Sequence, residues 1–247
     1  MELSSPATDR LFETLDKEGG LLAAAAERAG TEAQVPSCPG WQVSDLLRHT
    51  GTVHRWAAGY VRDEHPAPRP LGDLPDLDGA ALVAWYRDSH RHLVDTLAAA
   101  KPDVACWAFL PAPSPLAFWA RRQVHETTVH RLDAESAAGG TPNPVAADIA
   151  ADGIDELLRG FHARTRSRVR TEERRVLRVR ATDVDAVWTV RLSAEPPVTT
   201  RDDTGEADCE FSGLAPELYA ALWNRLPLPT VTGDHALAAL WRERSGI

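Results

Sequence analysis

The sequence predicts an all-helical region followed by a mixed one: an N-terminal four-helix bundle over residues 1–140 and a small α+β domain over residues 141–247. Three observations carry this. Apolar residues recur at helical spacing through the first part of the chain. The run Gly139-Gly140-Thr141-Pro142-Asn143-Pro144 then breaks the pattern. Beyond it lie alternating runs rich in β-branched residues, Val176–Arg180 and Ala186–Leu192.

The elements follow in order. Leu11, Leu15, Leu22, Ala25 and Ala26 mark a first helix that ends near Gly30. A second begins after Cys38-Pro39-Gly40-Trp41, opened by Gln42 or Ser44 and continued by Leu46, Leu47, Val53, Trp56 and Tyr60. Residues 62–78, rich in Pro and Asp, read as a loop. Leu82, Val83, Tyr86, Leu93 and Leu97 mark a third helix, stopped by Lys101-Pro102. After the Pro111–Pro115 connector a fourth helix runs from about Leu116 to Ala138. Four helices with two longer connections suggest a bundle. The second region opens with a helix at about 145–165 and continues as a hairpin turning at Asp183–Asp185. A strand at Ala207–Ser212 and helices at Leu214–Arg225 and His235–Glu243 complete it.

Composition narrows the function. The net charge of −9 gives nucleic acid no electrostatic support as a partner. No apolar run reaches the roughly 20 residues of a membrane span, so no membrane association is expected. Met1–Pro6 has neither the basic nor the apolar segment of a secretory leader. Three widely spaced cysteines, Cys38, Cys106 and Cys209, fit a reducing cytoplasm and form neither a disulfide framework nor a Cys-x-x-Cys zinc site.

The stretch RQVHETTVHRLDAE, residues 122–135, carries the strongest chemical signal. It is one residue longer than the zinc-protease H-E-x-x-H pattern. At about 100° per residue, His125 and His130 lie roughly 140° apart and do not face one ion from one helix. Glu126 and His130, four apart, stack on the same face. They are either an ordinary surface pair or two ligands in search of a third. A bundle draws such a third ligand from a facing helix. The second helix offers His49 and His54, five apart. His49 shares a face with Val53 and Trp56 and is either a buried structural histidine or a ligand. His54 is expected at the surface or behind the ligands. Asp133, three after His130, either orients a ligand imidazole or belongs to a solvated face. The remaining histidines, Cys38 and the tryptophans read as structural.

Together, SCPGWQVSDLLRHTGTVHRW on the second helix and RRQVHETTVHRLDAE on the fourth resemble the actinobacterial mycothiol-dependent maleylpyruvate isomerase family. Its N-terminal bundle is DinB-like, and its C-terminal domain is similar to sterol-carrier folds. LWNRLPLPTVTGDHALAALW resembles that second domain, so the likeness spans nearly the whole chain. The resemblance implies a divalent metal, usually zinc, held by His49, Glu126 and His130. It also implies mycothiol as the low-molecular-weight thiol, ionised at the metal and added to a small electrophile in cis–trans isomerisation or S-transfer. Arg225 matches an arginine that holds a carboxylate or stabilises developing negative charge; capping a helix is its plainer role. Asn224 departs from the glycine common before it, which puts the local turn in question.

Three classes follow: a metal- and mycothiol-dependent isomerase or transferase acting as a monomer, a zinc enzyme of the same fold using another thiol or water, and a non-catalytic binding protein with a structural metal.

Overall fold

In the computed structural model, which describes residues 6–246, the chain divides into two compact units, one built from Ala7–Asn143 and the other from Pro144 onward. Most of the segment read for a leader, residues 1–5, lies outside the described residues.

The first unit holds α1 (Thr8–Ala29), α2 (Val43–Arg62), α3 (Gly79–Ala99) and α4 (Pro115–Ala138). α1 and α2 each pack against both α3 and α4, so α1 and α2 occupy one diagonal of a four-helix bundle. The apolar stripes predicted from the sequence are its core: Leu15, Leu22, Leu46, Leu47, Leu82 and Tyr86 are fully buried. The helix starts have local causes. Gln42 precedes α2, and its backbone N–H donates to Asp45 Oδ2 at 2.9 Å. Ser114 caps α4, its Oγ accepting from Ala117 N at 3.1 Å, with Pro115 at the first helical position. Gly19 on α1 is required by packing. A Cβ there would lie 2.2 Å from the His90 ring of α3.

α4 departs from the amphipathic norm. It is buried on nearly every side, and its buried residues include Arg122, Gln123, His125, Thr127, Thr128, Arg131, Asp133 and Glu135. Such groups are costly inside unless paired, and of these Gln123 Oε1, Thr128 Oγ1 and Arg131 Nη2 are left without a partner among the described residues. Arg131, wholly buried, donates from Nε to Glu18 Oε2 of α1 at 2.7 Å and from Nη1 to Glu135 Oε2 at 2.6 Å. Glu135 also receives the backbone N–H of Asn143 at 3.0 Å, anchoring the chain as it leaves the bundle. At one end of the unit Trp56, Tyr60, Trp107 and Trp119 form an aromatic cluster, with Tyr60 and Trp119 stacked at 4.9 Å. These tryptophans pack, as their helical spacing suggests.

The second unit opens with α5 (Ala147–Asp155), whose last turns widen into a π-helix at Glu156–Phe161. It continues with β1 (Arg175–Ala181), β2 (Ala186–Leu192), β3 (Val198–Thr200), β4 (Cys209–Gly213), α6 (Ala215–Leu222), β5 (Thr230–Gly233) and α7 (His235–Arg244). The sheet order is β3-β2-β1-β4-β5. All pairings are antiparallel except β1 with β4. The β1–β2 hairpin closes at Ala181↔Ala186, with Asp185 at φ 46°. The sequence pattern misses β3 and β5. They are edge strands of three and four residues, too short to show alternation, and Val198 is 60% exposed.

Asn224 holds the turn that a glycine would. It adopts φ 61°, a conformation Asn tolerates, and its side-chain amide donates to Ser245 Oγ at 3.0 Å. Asn224 N bonds to Ala221 O and Arg225 N to Ala220 O, the paired bonds of a Schellman cap ending α6. Arg225 thus contributes its backbone to the cap, while its Nη1 donates to the Trp223 carbonyl at 2.7 Å.

Buried histidines make an acid-side prediction. Burial pushes His162 from its ordinary 6.5 down to about 4. Burial likewise lowers His54 and His90. The unfolded chain takes up these protons near pH 6.5 and the native state resists, so this stability is full above pH 6.5 and lost as pH falls toward 4. For His162 alone the loss is about 3 kcal/mol. Denaturant midpoints measured from pH 7.5 to 4 are expected to fall through that window. His162→Gln should flatten the fall, and an unchanged slope in that variant contradicts the assignment.

Candidate metal centre

Two antiparallel neighbours, α2 and α4, bring three side chains to one point. Glu126 and His130 project from adjacent turns of α4, and His49 meets them from α2. Glu126 Oε1 lies 3.1 Å from His49 Nε2 and 3.3 Å from His130 Nε2. The three atoms lie within 4.8 Å of one another, and among the described residues this is the one cluster of its kind. In a tetrahedral zinc site with bonds of about 2.0–2.1 Å, ligand atoms stand roughly 3.3 Å apart. Two edges already have that length. Two imidazole nitrogens and a carboxylate oxygen suit zinc or a similar divalent ion and leave a position open. The residues present therefore fit a metal.

Charge supports the same reading. Burial pushes the Glu126 carboxyl up, but hydrogen bonds from His130 and His49 outweigh it and hold the group well below the usual carboxylate range. His130 is pushed the other way. Burial lowers it, yet hydrogen bonds to Asp133 and Glu126 prevail and raise it to about 9. Without a metal the cluster shares a proton; neutral imidazoles and an ionised carboxylate are what a metal requires.

The surroundings orient each ligand. His130 Nδ1 is 2.8 Å from Asp133 Oδ2, and the Asp133 side chain is fully buried. This leaves Nε2 facing the site, the carboxylate–histidine arrangement of metal centres. Of the two readings of Asp133, the solvated face is excluded. Ser37 Oγ donates to Asp133 Oδ1 at 2.5 Å, fixing that carboxylate in turn. Arg122, buried and one turn before Glu126, donates from Nη2 to Glu126 Oε2 at 3.3 Å. The two oxygens of Glu126 are thereby divided between the ligand cluster and the guanidinium. Trp41 covers the imidazoles, its ring 5.3 Å from that of His49 and stacked at 6.3 Å on that of His130.

Asp133→Asn is expected to weaken metal binding by roughly 10–100-fold while leaving the fold intact. Competition with a chromophoric chelator measures it, and wild-type affinity in the variant removes Asp133 from this role.

The other sequence candidates fall elsewhere. His54, expected at the surface or behind the ligands, is completely buried. Its Nε2 is 2.9 Å from Thr127 Oγ1 and its ring 5.4 Å from that of His90. It lies on a different face of α2 from His49, since five residues rotate a helix by about 140°. His125 is likewise buried in the bundle, outside the cluster. Arg225 lies in the second unit at the end of α6. Cys38, Cys106 and Cys209 are all free thiols. Burial raises Cys106 above the ordinary thiol value and Cys209 to about 11, so neither is a ready thiolate. Sequence reasoning missed Arg122, although its i, i+4 spacing to Glu126 is visible in RRQVHE. It missed Ser37 because nothing local joins Ser37 to Asp133.

Comparison with known proteins gives the family and the fold. Residues 12–135 match the mycothiol maleylpyruvate isomerase N-terminal domain, and residues 148–240 match the MDMPI C-terminal domain. Among solved structures, a mycothiol-dependent maleylpyruvate isomerase superposes with a TM-score of 0.63 at 13% identity, covering 94% of this chain and 95% of that one. A histidine-to-alanine variant of a mycothiol-dependent maleylpyruvate isomerase gives 0.60 at 11% identity, covering 89% and 90%. At such identities the likeness is one of fold. No curated protein matches the chain. Among the described residues no helix is long and apolar enough to cross a membrane. The two matched domains span most of the chain, which belongs to the mycothiol maleylpyruvate isomerase family of enzymes.

Proposed function

We propose that this protein is a divalent-metal enzyme, with zinc the expected ion, that uses mycothiol to attack a small electrophile. Maleylpyruvate-type cis–trans isomerisation and S-transfer are the two reactions that fit. One observation carries the proposal: His49 Nε2, Glu126 Oε1 and His130 Nε2 converge within 4.8 Å in a chain of this family. A bound divalent ion supplies Lewis acidity, which favours the thiolate of a nearby thiol over its protonated form. The chain's own residues do the rest. His49, Glu126 and His130 hold the ion from two helices. Asp133 keeps the His130 proton on Nδ1. Arg122 draws one Glu126 oxygen away, so the carboxylate presents the other. Trp41 limits water on one side of the imidazoles. Arg225 is assigned to a substrate carboxylate, which its planar fork suits. The break at residues 139–144 is proposed as the boundary between a metal-binding domain and an α+β domain, and the protein as a monomer of the reducing cytoplasm, consistent with its three free thiols.

The test is an assay of metal-loaded protein against cis-enoyl carboxylates and other electrophiles, with and without mycothiol. Turnover is expected to need both metal and thiol. Turnover with metal and water alone defeats the thiol reading. Arg225→Lys is expected to lower kcat/KM on carboxylate substrates by roughly tenfold or more, since lysine does not reproduce the bidentate fork, and to leave metal content unchanged. A loss of the same fold on charged and uncharged electrophiles in that variant argues against a carboxylate role.

A further inference from the structure

The second unit has a cavity of about 290 Å³ that the proposed reaction does not use. It opens where the π-helical end of α5 unwinds into the loop after Phe161, and π-turns are frequent at functional sites. Phe161, His162, Arg164, Arg166, Ser167 and Arg168 line it. None of these is acidic, although the chain carries a net charge of −9. Three arginines within five residues, with no acidic side chain among the described lining residues, make a local positive field.

The loop is held from behind. Arg170 donates to three carbonyls, those of Ser167 at 3.0 Å, Thr165 at 2.8 Å and Ala194 at 2.7 Å. Its guanidinium therefore serves as a brace, and the cavity's shape does not wait on a ligand to form. Arg166 is exposed, and no acidic partner engages it among the described residues. Arg168 is also exposed, and among the described residues its Nη2 reaches the Gly246 carbonyl, at 3.3 Å. Both guanidinium groups retain donors for a ligand.

His162 lines the cavity and is fixed by Ser167. His162 is 2% exposed. Its Nδ1 is 3.0 Å from Ser167 Oγ, and its Nε2 has no partner. Ser167 Oγ accepts from Val169 N at 3.4 Å. Its own proton is then directed at His162 Nδ1, which places the ring hydrogen on Nε2. That nitrogen is closed to the cavity, so the ring serves as wall rather than as donor.

We propose that this cavity binds a small molecule bearing an oxyanion group, phosphate or carboxylate, through the guanidinium groups of Arg166 and Arg168. Guanidinium forks match both groups, and the cavity is larger than either group alone, leaving the Phe161 ring to pack against an attached organic part.

The experiment is a titration of the full-length protein with inorganic phosphate and, separately, with malonate, against sodium chloride at matched ionic strength. Calorimetry gives the affinity, and arginine Nε–H resonances report on the loop. Saturable binding is expected for at least one probe, weakened at least tenfold by Arg166→Gln combined with Arg168→Gln. Both positions are exposed, so the variant keeps its fold, which circular dichroism checks. The ratio of the phosphate and malonate affinities distinguishes the two sources of the oxyanion. Responses no greater than those to chloride overturn the proposal. So does saturable binding that the double variant leaves unchanged.

Discussion

His130→Ala is expected to lower the metal affinity of the purified protein by more than roughly a hundredfold. Loss of an orienting partner alone costs about 10–100-fold, and this change removes a ligand. His130 is one of three donors within 4.8 Å, held from behind by Asp133 at 2.8 Å, and no other histidine of α4 can replace it. His125, five residues earlier, is buried in the bundle core on another face. His125→Ala should therefore retain metal in the folded protein even where it lowers stability. Elemental analysis after dialysis against a weak chelator checks both variants, and equal retention in the two removes the assignment. Uptake by the wild type carries a second signature. In the metal-free protein the His130 imidazole is raised to about 9 by Asp133 and Glu126 against the effect of burial. A metal needs it neutral at Nε2, so binding near pH 7 should release about one proton per chain, and affinity should rise with pH up to about 9. Calorimetry in buffers of different ionisation enthalpy counts that proton.

Arg131→Met is expected to destabilise the protein by about 3–5 kcal/mol. Arg131 is wholly buried and is shared by two carboxylates, Glu18 at 2.7 Å and Glu135 at 2.6 Å, themselves 3% exposed. Removing the cation leaves two like charges in a low-dielectric interior with no counter-ion. The same change releases Asn143, whose carbonyl Arg131 also holds at 2.5 Å. Replacing all three charged residues by apolar ones of similar volume should cost far less, because the desolvation penalty of the carboxylates then disappears as well. Denaturant unfolding of the single and triple variants separates these outcomes. A loss below about 1 kcal/mol in the single variant means that the pair contributes no more than a surface ion pair does.

Much of the architecture was legible in the chain itself. Leu11, Leu15 and Leu22, or Leu82, Tyr86 and Leu93, repeat at the helical period because one face of each helix must leave water. Val176–Arg180 and Ala186–Leu192 alternate because one face of each strand carries the apolar core side chains and the other polar ones, of which Arg178 and Thr189 are also buried. Pro and Gly punctuate these runs because their backbones stop regular structure. The Glu126–His130 pairing is equally local, since four residues return a helix to the same face.

What only tertiary structure decided has a different physical origin. His49 and His54 look alike in HTGTVH. Their fates depend on what each side of α2 meets: His49 reaches Glu126 of α4 at 3.1 Å, whereas His54 is sealed between Thr127 of α4 and His90 of α3. The sequence leaves Asp133 open between orienting an imidazole and a solvated face; in the structure Arg131, Asp133 and Glu135 are all buried, with partners from α1, the loop before α2 and the chain after α4. Edge strands β3 and β5 exist because β2 and β4 offer them backbone partners, and three or four residues show no pattern of their own. Periodicity is written into the covalent order of the chain. A buried charge needs a partner that is near in space and remote in sequence, so pairing enters only when the helices and strands have packed.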